Sequence, residues 1–485
     1  MTRQSRQMQL QYAAWKKWLT QKGDVSGAFL QGREYPGELF CVPCDEICQA
    51  MNLEPGSITR VKRGCYGLVD APIEWYRSVS AFFQKIGLEK LWSDPCMWAW
   101  RPEGVLKGLI SCHVDDFLFS GPEKDQSWNE LLEKIKKEFS WGDWQQKEFT
   151  QCGVEIKQMD DYSYQLSQPK YAERIKEIPV PATRKREVNS PTTDWERSQL
   201  RAALGALSWH AQQVSPHISA EVGLLLSEVT ESTVETILKT NKLVYATRVR
   251  KEHKIWIHSF SENMELGLYM WCDAAGQNRR DGSSTQGLFL GMGPLGLLDG
   301  HMEKVTPIAW HANKIDRVVR SPGAAEATAA VNGEDLLYHA RFQWGEILGP
   351  NTNIFEKDET VNRVVGVLIS DSRNVYDKLK TEELATKGAE RRTDLELMCI
   401  KYAQRRNGVI VRWVHSEAQL GNALTKAGAK EIELYYQLQG QWRIVSDDQM
   451  RSSRKRKESG LQALEPGRMN TPDIQKHTQK GVSCF

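Results

Sequence analysis

Two adjacent aspartates, Asp115 and Asp116, interrupt an apolar stretch, Leu109-Ile-Ser-Cys-His-Val-Asp-Asp-Phe-Leu-Phe-Ser-Gly121, and no other feature restricts the fold so strongly. Two short apolar runs around an acidic pair predict a buried hairpin with the acids near its turn. Carboxylates set beside buried strands are costly unless a cation or hydrogen bonds compensate them, so the pattern points to metal. A bare Asp-Asp pair carries little on its own. The chain also holds Asp160-Asp161 and Asp447-Asp448, neither of them between apolar strands. The flanks set the first pair apart, together with Asp24 at the head of Asp-Val-Ser-Gly-Ala-Phe-Leu30, about ninety residues upstream. Three carboxylates converging from two strands can hold two Mg²⁺ ions for in-line nucleotidyl transfer, a chemistry that needs no side-chain nucleophile.

A second acidic set lies towards the C-terminus. Tyr269-Met-Trp-Cys-Asp-Ala-Ala275 ends a strand on Asp273, and Val367-Leu-Ile-Ser-Asp-Ser372 ends another on Asp371. Between them Ser321-Pro-Gly-Ala-Ala-Glu reads as a helix start, with Ser321 as N-cap, Pro322 at the first helical position and Glu326 in the first turns. Acids at two strand ends and one helix start form a natural cluster. On a mixed sheet, such a cluster is what two-metal hydrolysis of a phosphodiester requires.

The organisation follows from periodicity. Leu10, Ala13, Ala14 and Trp18 predict one helix within residues 1–23, ending near Gly23. A mixed α/β region runs to 185, and Pro179-Val-Pro-Ala-Thr-Arg-Lys-Arg-Glu-Val-Asn-Ser-Pro has a linker's proline and charge pattern. Helical spacing resumes through 186–262, with Leu200, Leu204 and Leu207, then Val222, Leu225 and Leu226. Residues 263–440 alternate strands and helices as a second α/β domain. Residues 441–485, with Arg454-Lys-Arg-Lys457 and few large apolar groups, predict a basic disordered tail. That cluster reads either as a nuclear-import or phosphate-binding patch or as a solvated tail.

The motifs around these acids resemble those of copia-type LTR retrotransposon Pol polyproteins. D-V-S-G-A-F-L-Q-G is similar to the family's D-V-x-x-A-F-L-x-G, and V-D-D-F-L-F-S-G to its Y-V-D-D motif. Val61-Lys-Arg-Gly-Cys-Tyr-Gly-Leu-Val-Asp-Ala-Pro-Ile-Glu-Trp-Tyr76, between them, resembles L-x-K-S-L-Y-G-L-K-Q-A-P-R-x-W-Y. The three occur in the family's order. The resemblance implies a reverse transcriptase palm and thumb over 1–185, a linker and helical connection over 186–262, and a ribonuclease H-like domain over 263–440. The fold class implied is thus α/β and α+β multidomain, a right-hand polymerase followed by ribonuclease H. Carried over, Asp24, Asp115 and Asp116 would bind metal in the palm. Phe29 would abut the sugar of the incoming nucleotide and exclude a 2′-hydroxyl, and Tyr66 and Gly67 would pack against nucleotide and primer. Plain core packing is the alternative for both rings.

In the second domain, D-A, A-E-A and S-D-S resemble the family's ribonuclease H, making Asp273, Glu326 and Asp371 metal ligands. Trp413-Val-His-Ser-Glu-Ala-Gln-Leu-Gly-Asn-Ala-Leu-Thr-Lys426 is similar to its closing Q-L-A-D-x-x-T-K, with Asn422 in place of the last Asp. An amide is a poorer ligand, able to coordinate only through its carbonyl, and implies impaired hydrolysis. His415 could carry a proton during product release, although a lone loop histidine more often does nothing special. Other departures are His113 where the family has Tyr and Asp70 where it has Gln. Only 23 residues precede Asp24, so the basic fingers region is expected to be largely missing.

The resemblance implies Mg²⁺ as cofactor, with Mn²⁺ as substitute, and RNA template, DNA primer, RNA–DNA hybrid and deoxynucleoside triphosphates as partners. A catalytically inactive relic that only binds nucleic acid is the alternative. Composition bears on this at two points. With 64 basic and 62 acidic residues, a net charge of +2 excludes a global basic field, so any grip on nucleic acid must be local. No apolar run nears the ~20 residues of a membrane span, and the N-terminus lacks a signal-peptide core; the expectation is an intracellular protein, cytoplasmic or nuclear. Ten cysteines scattered from Cys41 to Cys484 read as reduced thiols, and Cys41-x-x-Cys44 lacks a second ligand pair for zinc. Oligomeric state is not legible in the sequence.

Overall fold

The computed structural model describes residues 1–350, 352–382, 391–447, 449–462 and 464. The acidic run folds as its pattern predicts. Strands Gly108–His113 and Asp116–Gly121 pair antiparallel, with His113 opposite Asp116. They occupy the middle of a six-stranded sheet ordered Leu88–Lys90, Met97–Trp100, Gly108–His113, Asp116–Gly121, Leu19–Val25, Trp141–Gln146. One face is covered by helices Ala71–Lys85 and Gln126–Glu138, and Trp75, Phe83, Trp98, Phe117, Phe119 and Trp128 form an aromatic core beneath them.

The N-terminal helix is shorter than the periodicity suggests. It spans Arg3–Trp15, the chain turns at Lys17 with φ 56°, and Leu19–Val25 is a strand rather than the helix's end. This strand is buried on both faces, so it lacks the alternation that announces a half-exposed strand. Its polar residues hide it further, yet they are satisfied: the Thr20 hydroxyl lies 2.9 Å from that of Ser120 and 2.6 Å from that of Tyr164. The helix itself is buried from Ser5 to Ala14. Gln9 Nε2 donates to the carbonyls of Leu109 and Leu118 at 3.1 and 3.2 Å, and Gln11 Nε2 to that of His258 at 3.0 Å. Arg3 donates to the Trp310 carbonyl at 3.0 Å. A polar helix thus pins the acidic hairpin to the remainder of the molecule.

A break at 185–186 does not match the packing. Ile175 and Ile178 share a core with Leu200, Leu204, Leu207, Val222 and Leu225 on helices Asp194–Gln213 and Ser219–Glu228. Strand Lys254–Ile257 then pairs with Tyr164–Ser167 in a four-stranded sheet. The proline-rich segment is irregular, as expected of a linker, but Arg184 clamps it by donating to both oxygens of Glu196 at 3.0 Å.

The third sheet is ordered Thr306–Lys314, Thr285–Pro294, Leu266–Ala275, Gly366–Ser370, Ile410–Trp413. Its first three strands are antiparallel and its last two parallel to Leu266–Ala275, against which helix Pro322–Leu348 lies. Glu346 on that helix accepts from the backbone N–H of Trp92 and Ser93, each at 2.9 Å, and so joins the first sheet's edge. The described residues from 441 to 462 are folded, against the expectation of a free tail over 441–485. Gln441–Trp442 pairs with Glu303–Lys304, and Ser453–Glu458 is a helix. Within the basic cluster Arg456 is 1% exposed, because it pairs with buried Asp447. A charge run read as solvated hid one buried ion pair. Residues 465–485 lie outside the described residues.

Trp128 rests directly on Gly108 and Gly121, and a Cβ at either position would collide with its ring. Gly108→Ala should therefore lower stability by about 1–3 kcal/mol through overpacking, seen as a lower urea midpoint. An unchanged midpoint would contradict this account of the hairpin's seat.

Candidate active sites

Asp24 and Asp116 face each other across the strand pair, in register. The Val25 N–H donates to the Asp115 carbonyl at 3.0 Å, tying the acidic turn to the strand end. Val114, just before the acids, has φ 60°, a region that β-branched residues avoid at a cost of about 1–3 kcal/mol. Trp75 Nε1 holds that turn by donating to the Val114 carbonyl at 2.8 Å.

Between the two facing acids stands a side chain the sequence reading did not single out. Lys22 Nζ is 2.9 Å from Asp116 Oδ1 and 3.7 Å from Asp24 Oδ1. It sits two residues before Asp24, so strand geometry puts both on one face. Period-two spacing in Lys22-Gly-Asp24 was the available signal. Burial holds the Asp24 carboxyl above its ordinary range; Lys22 opposes that shift, and Asp115 and Asp116 add to it. Asp115, Asp116 and Asp24 do not all bring carboxylate oxygens within 4.8 Å of one another. The Lys22 ammonium stands between Asp24 and Asp116, where a divalent ion would have to compete with it.

The aromatic residues expected near a nucleotide do meet. Phe29 and Tyr66 have ring centroids 4.8 Å apart, Phe29 packed against the core and Tyr66 62% exposed. Gly67, at φ 99°, takes the left-handed turn after Tyr66. Asp70 accepts a hydrogen bond from the Tyr35 hydroxyl.

In the second domain Asp273, Glu326 and Asp371 come together, without Asn422. Ser321 caps its helix by accepting from the Ala324 N–H at 3.0 Å, which sets Glu326 beside the strand ends. Among the described residues, the one group of three acidic, His or Cys side chains with ligand atoms within 4.8 Å of one another is Asp273, Glu326 and Asp371. Burial pushes all three carboxyls up, and the charges of Asp273 and Asp371 push Glu326 further. Among the described residues, Glu326 Oε2 is buried without a hydrogen-bond partner. Converging, desolvated, hard oxygen ligands with one unmet acceptor fit a divalent cation.

Asn422 takes no free role beside them. Its Nδ2 donates to Glu431 Oε1 at 2.6 Å, and its Oδ1 accepts from Lys426 Nζ at 2.7 Å. The carbonyl that the sequence reading offered to metal is therefore engaged. The segment Leu420–Leu424 reaches the site because Gly421 lies flat on the strands, where a Cβ would stand 3.0 Å from the Gly287 oxygen and 3.1 Å from the Asp273 nitrogen. Thr425 Oγ1 then donates to Asp273 Oδ2 at 2.6 Å. Lys426 and Glu431 were missed as site residues; Lys426 stood in a recognisable motif, but nothing marked Glu431. His415 is fully buried, and burial lowers its pKa to about 4.

The raised carboxyls have a pH consequence. Folded, they keep protons that the unfolded chain releases, so stability falls as pH rises above the ordinary carboxylate range. In metal-free protein the melting temperature should drop between about pH 5 and 9. Glu326→Gln should flatten that slope, and added Mg²⁺ should reduce it. An identical slope in the variant would contradict the assignment of charge to this cluster.

Comparison with known proteins agrees with the motif reading. The sequence model of the family described as reverse transcriptase (RNA-dependent DNA polymerase) matches residues 2–192. Over 329 residues the chain is 24% identical to the retrovirus-related Pol polyprotein from transposon RE1 of Arabidopsis thaliana, covering 65% of this chain and 21% of that protein. The polyprotein from transposon RE2 of the same plant is 23% identical over the same shares. That from transposon TNT 1-94 of Nicotiana tabacum is 24% identical over 225 residues, 42% of this chain and 16% of that protein. The chain thus spans about a fifth of the length of the first relatives. Among the described residues no helix is long and apolar enough to cross a membrane. Residues 2–192 thus match the reverse transcriptase family, and the chain is similar to the Pol polyproteins of plant retrotransposons.

Proposed function

We propose that the chain is an RNA-directed DNA polymerase joined to a ribonuclease H. The polymerase would use RNA template, DNA primer and deoxynucleoside triphosphates, and the ribonuclease H would take the RNA strand of the resulting hybrid. The observation that carries the nuclease half is the convergence of Asp273, Glu326 and Asp371 within 4.8 Å. The sheet supports the same reading, with three antiparallel strands followed by two parallel ones and the acids at strand ends and a helix start.

In the nuclease, Asp273, Glu326 and Asp371 would hold the cofactor, Mg²⁺ or Mn²⁺. When bound, divalent ions supply the Lewis acidity and water activation that phosphodiester hydrolysis needs. Thr425 fixes the rotamer of Asp273 through its hydroxyl. Lys426 offsets acidic charge around the cluster and, with Glu431, locks Asn422. In the polymerase, Asp24, Asp115 and Asp116 line the strand ends where the primer terminus would be directed, and the Phe29–Tyr66 pair, with Gly67 beside it, offers a ring surface for the incoming nucleotide.

One gel tests both halves. On an RNA template annealed to a DNA primer, each strand labelled, the wild-type chain at saturating Mg²⁺ should lengthen the DNA and cut the RNA. Glu326→Gln should cut the RNA roughly a hundredfold more slowly and still extend the primer. Asp115→Asn with Asp116→Asn should do the reverse. Loss of both activities in either variant, or neither activity in the wild type, would overturn the reading.

A further inference from the structure

We propose that Lys22 is a built-in counter-ion of the polymerase centre, its ammonium standing where a divalent ion would otherwise bridge Asp24 and Asp116. The inference rests on reading those acids as the polymerase's metal pair, and it names what controls metal entry there.

The geometry makes the case. Lys22 contacts both carboxylates, at 2.9 and 3.7 Å, from the same face of the same strand that carries Asp24. Its side chain is only 11% exposed, so the ammonium cannot simply swing into solvent. Asp143, on the neighbouring strand Trp141–Gln146, adds another negative charge that keeps it in place. The strand is fixed on both sides, by Asp116–Gly121 and by Trp141–Gln146. Gly23 sits under Trp141 and Trp144, where a Cβ would come within 2.8–2.9 Å of their rings, so the backbone at this point has no room to shift. A divalent ion shared by the same two oxygens would stand within a few ångströms of the ammonium, and the two cations would repel strongly at such range.

The second centre supplies the contrast within one molecule. There the lysine, Lys426, donates its hydrogen bond to Asn422 and acts on the three clustered acids only through its charge, and among the described residues Glu326 Oε2 is buried with no hydrogen-bond partner. One centre holds an ammonium in direct contact with its acids, while at the other the lysine acts on the acids only through its charge. The chain should therefore load the two centres unequally, filling the nuclease centre at concentrations where the polymerase centre stays empty. Removal of the ammonium should tighten divalent binding at the polymerase centre by roughly a hundredfold.

Fe²⁺ substituted for Mg²⁺, with ascorbate and peroxide, cuts backbone beside wherever it is bound, and mass spectrometry of the fragments maps the cuts on the full chain. In the wild type we expect cuts near residues 273, 326 and 371 and none near 24 or 115–116. In Lys22→Gln, new cuts should appear near 24 and 115–116 at the same Fe²⁺ concentration, and Lys22→Arg, which keeps the charge, should show none. Cuts at both centres in the wild type would overturn the counter-ion while leaving the metal pair intact. No cuts at the first centre in either wild type or a folded Lys22→Gln would overturn the metal pair, and the counter-ion with it. The wild-type map stands even if Lys22→Gln fails to fold, and Lys22→Met then provides the uncharged variant.

Discussion

The ammonium of Lys22 between Asp24 and Asp116 is the contact on which the first half of the molecule turns. Asp24 and Asp116 are only partly buried, but they face each other across the strand pair, and a cation between them reduces their repulsion. Here a residue of the same strand provides the positive charge, and the acidic hairpin can close without help from outside. The same turn carries Val114 in a left-handed backbone and is tied to the strand end by the Val25 N–H on the Asp115 carbonyl. At the second centre Lys426 acts on the acids through its charge, while its hydrogen bond goes to Asn422. The protonation of those acids is raised, which leaves them able to receive a metal.

The N-terminal helix Arg3–Trp15 explains how two carboxylate centres come to be mounted on one framework. Gln9 grips the acidic hairpin, Gln11 the strand region at His258, and Arg3 the third sheet at Trp310. Glu346 adds a second tie, from the long helix that also carries Glu326 to the first sheet at Trp92 and Ser93. A displacement of this helix would be felt at both centres, because its polar side chains satisfy backbone carbonyls that have no access to water.

Much of this was legible in the sequence. The Asp115-Asp116 hairpin, the Ser321 cap that sets Glu326, and the strand-end acids Asp273 and Asp371 all follow from local patterns, since capping and turn chemistry act over a few residues. What escaped was long-range or masked. Thr20, Gln21 and Lys22 made a strand buried on both faces look like the end of a helix. Arg456 looked like part of a solvated run because its partner, Asp447, is brought to it only by folding. Asn422 was legible as a substitution, but the pairing of its two ends with Glu431 and Lys426 depended on Gly421 lying flat against Asp273, a close approach that no spacing rule reveals.

The central claim is that the chain neutralises its two acidic centres by different means, one with its own lysine and one with a metal ion. The most direct measurement is anomalous diffraction from crystals of the full chain equilibrated with Mn²⁺ at the lowest concentration that fills the second centre. The account predicts a strong manganese peak among Asp273, Glu326 and Asp371 and density for the Lys22 ammonium, without a peak, between Asp24 and Asp116. A manganese peak between Asp24 and Asp116 with Lys22 turned away, or an empty second centre, would contradict it.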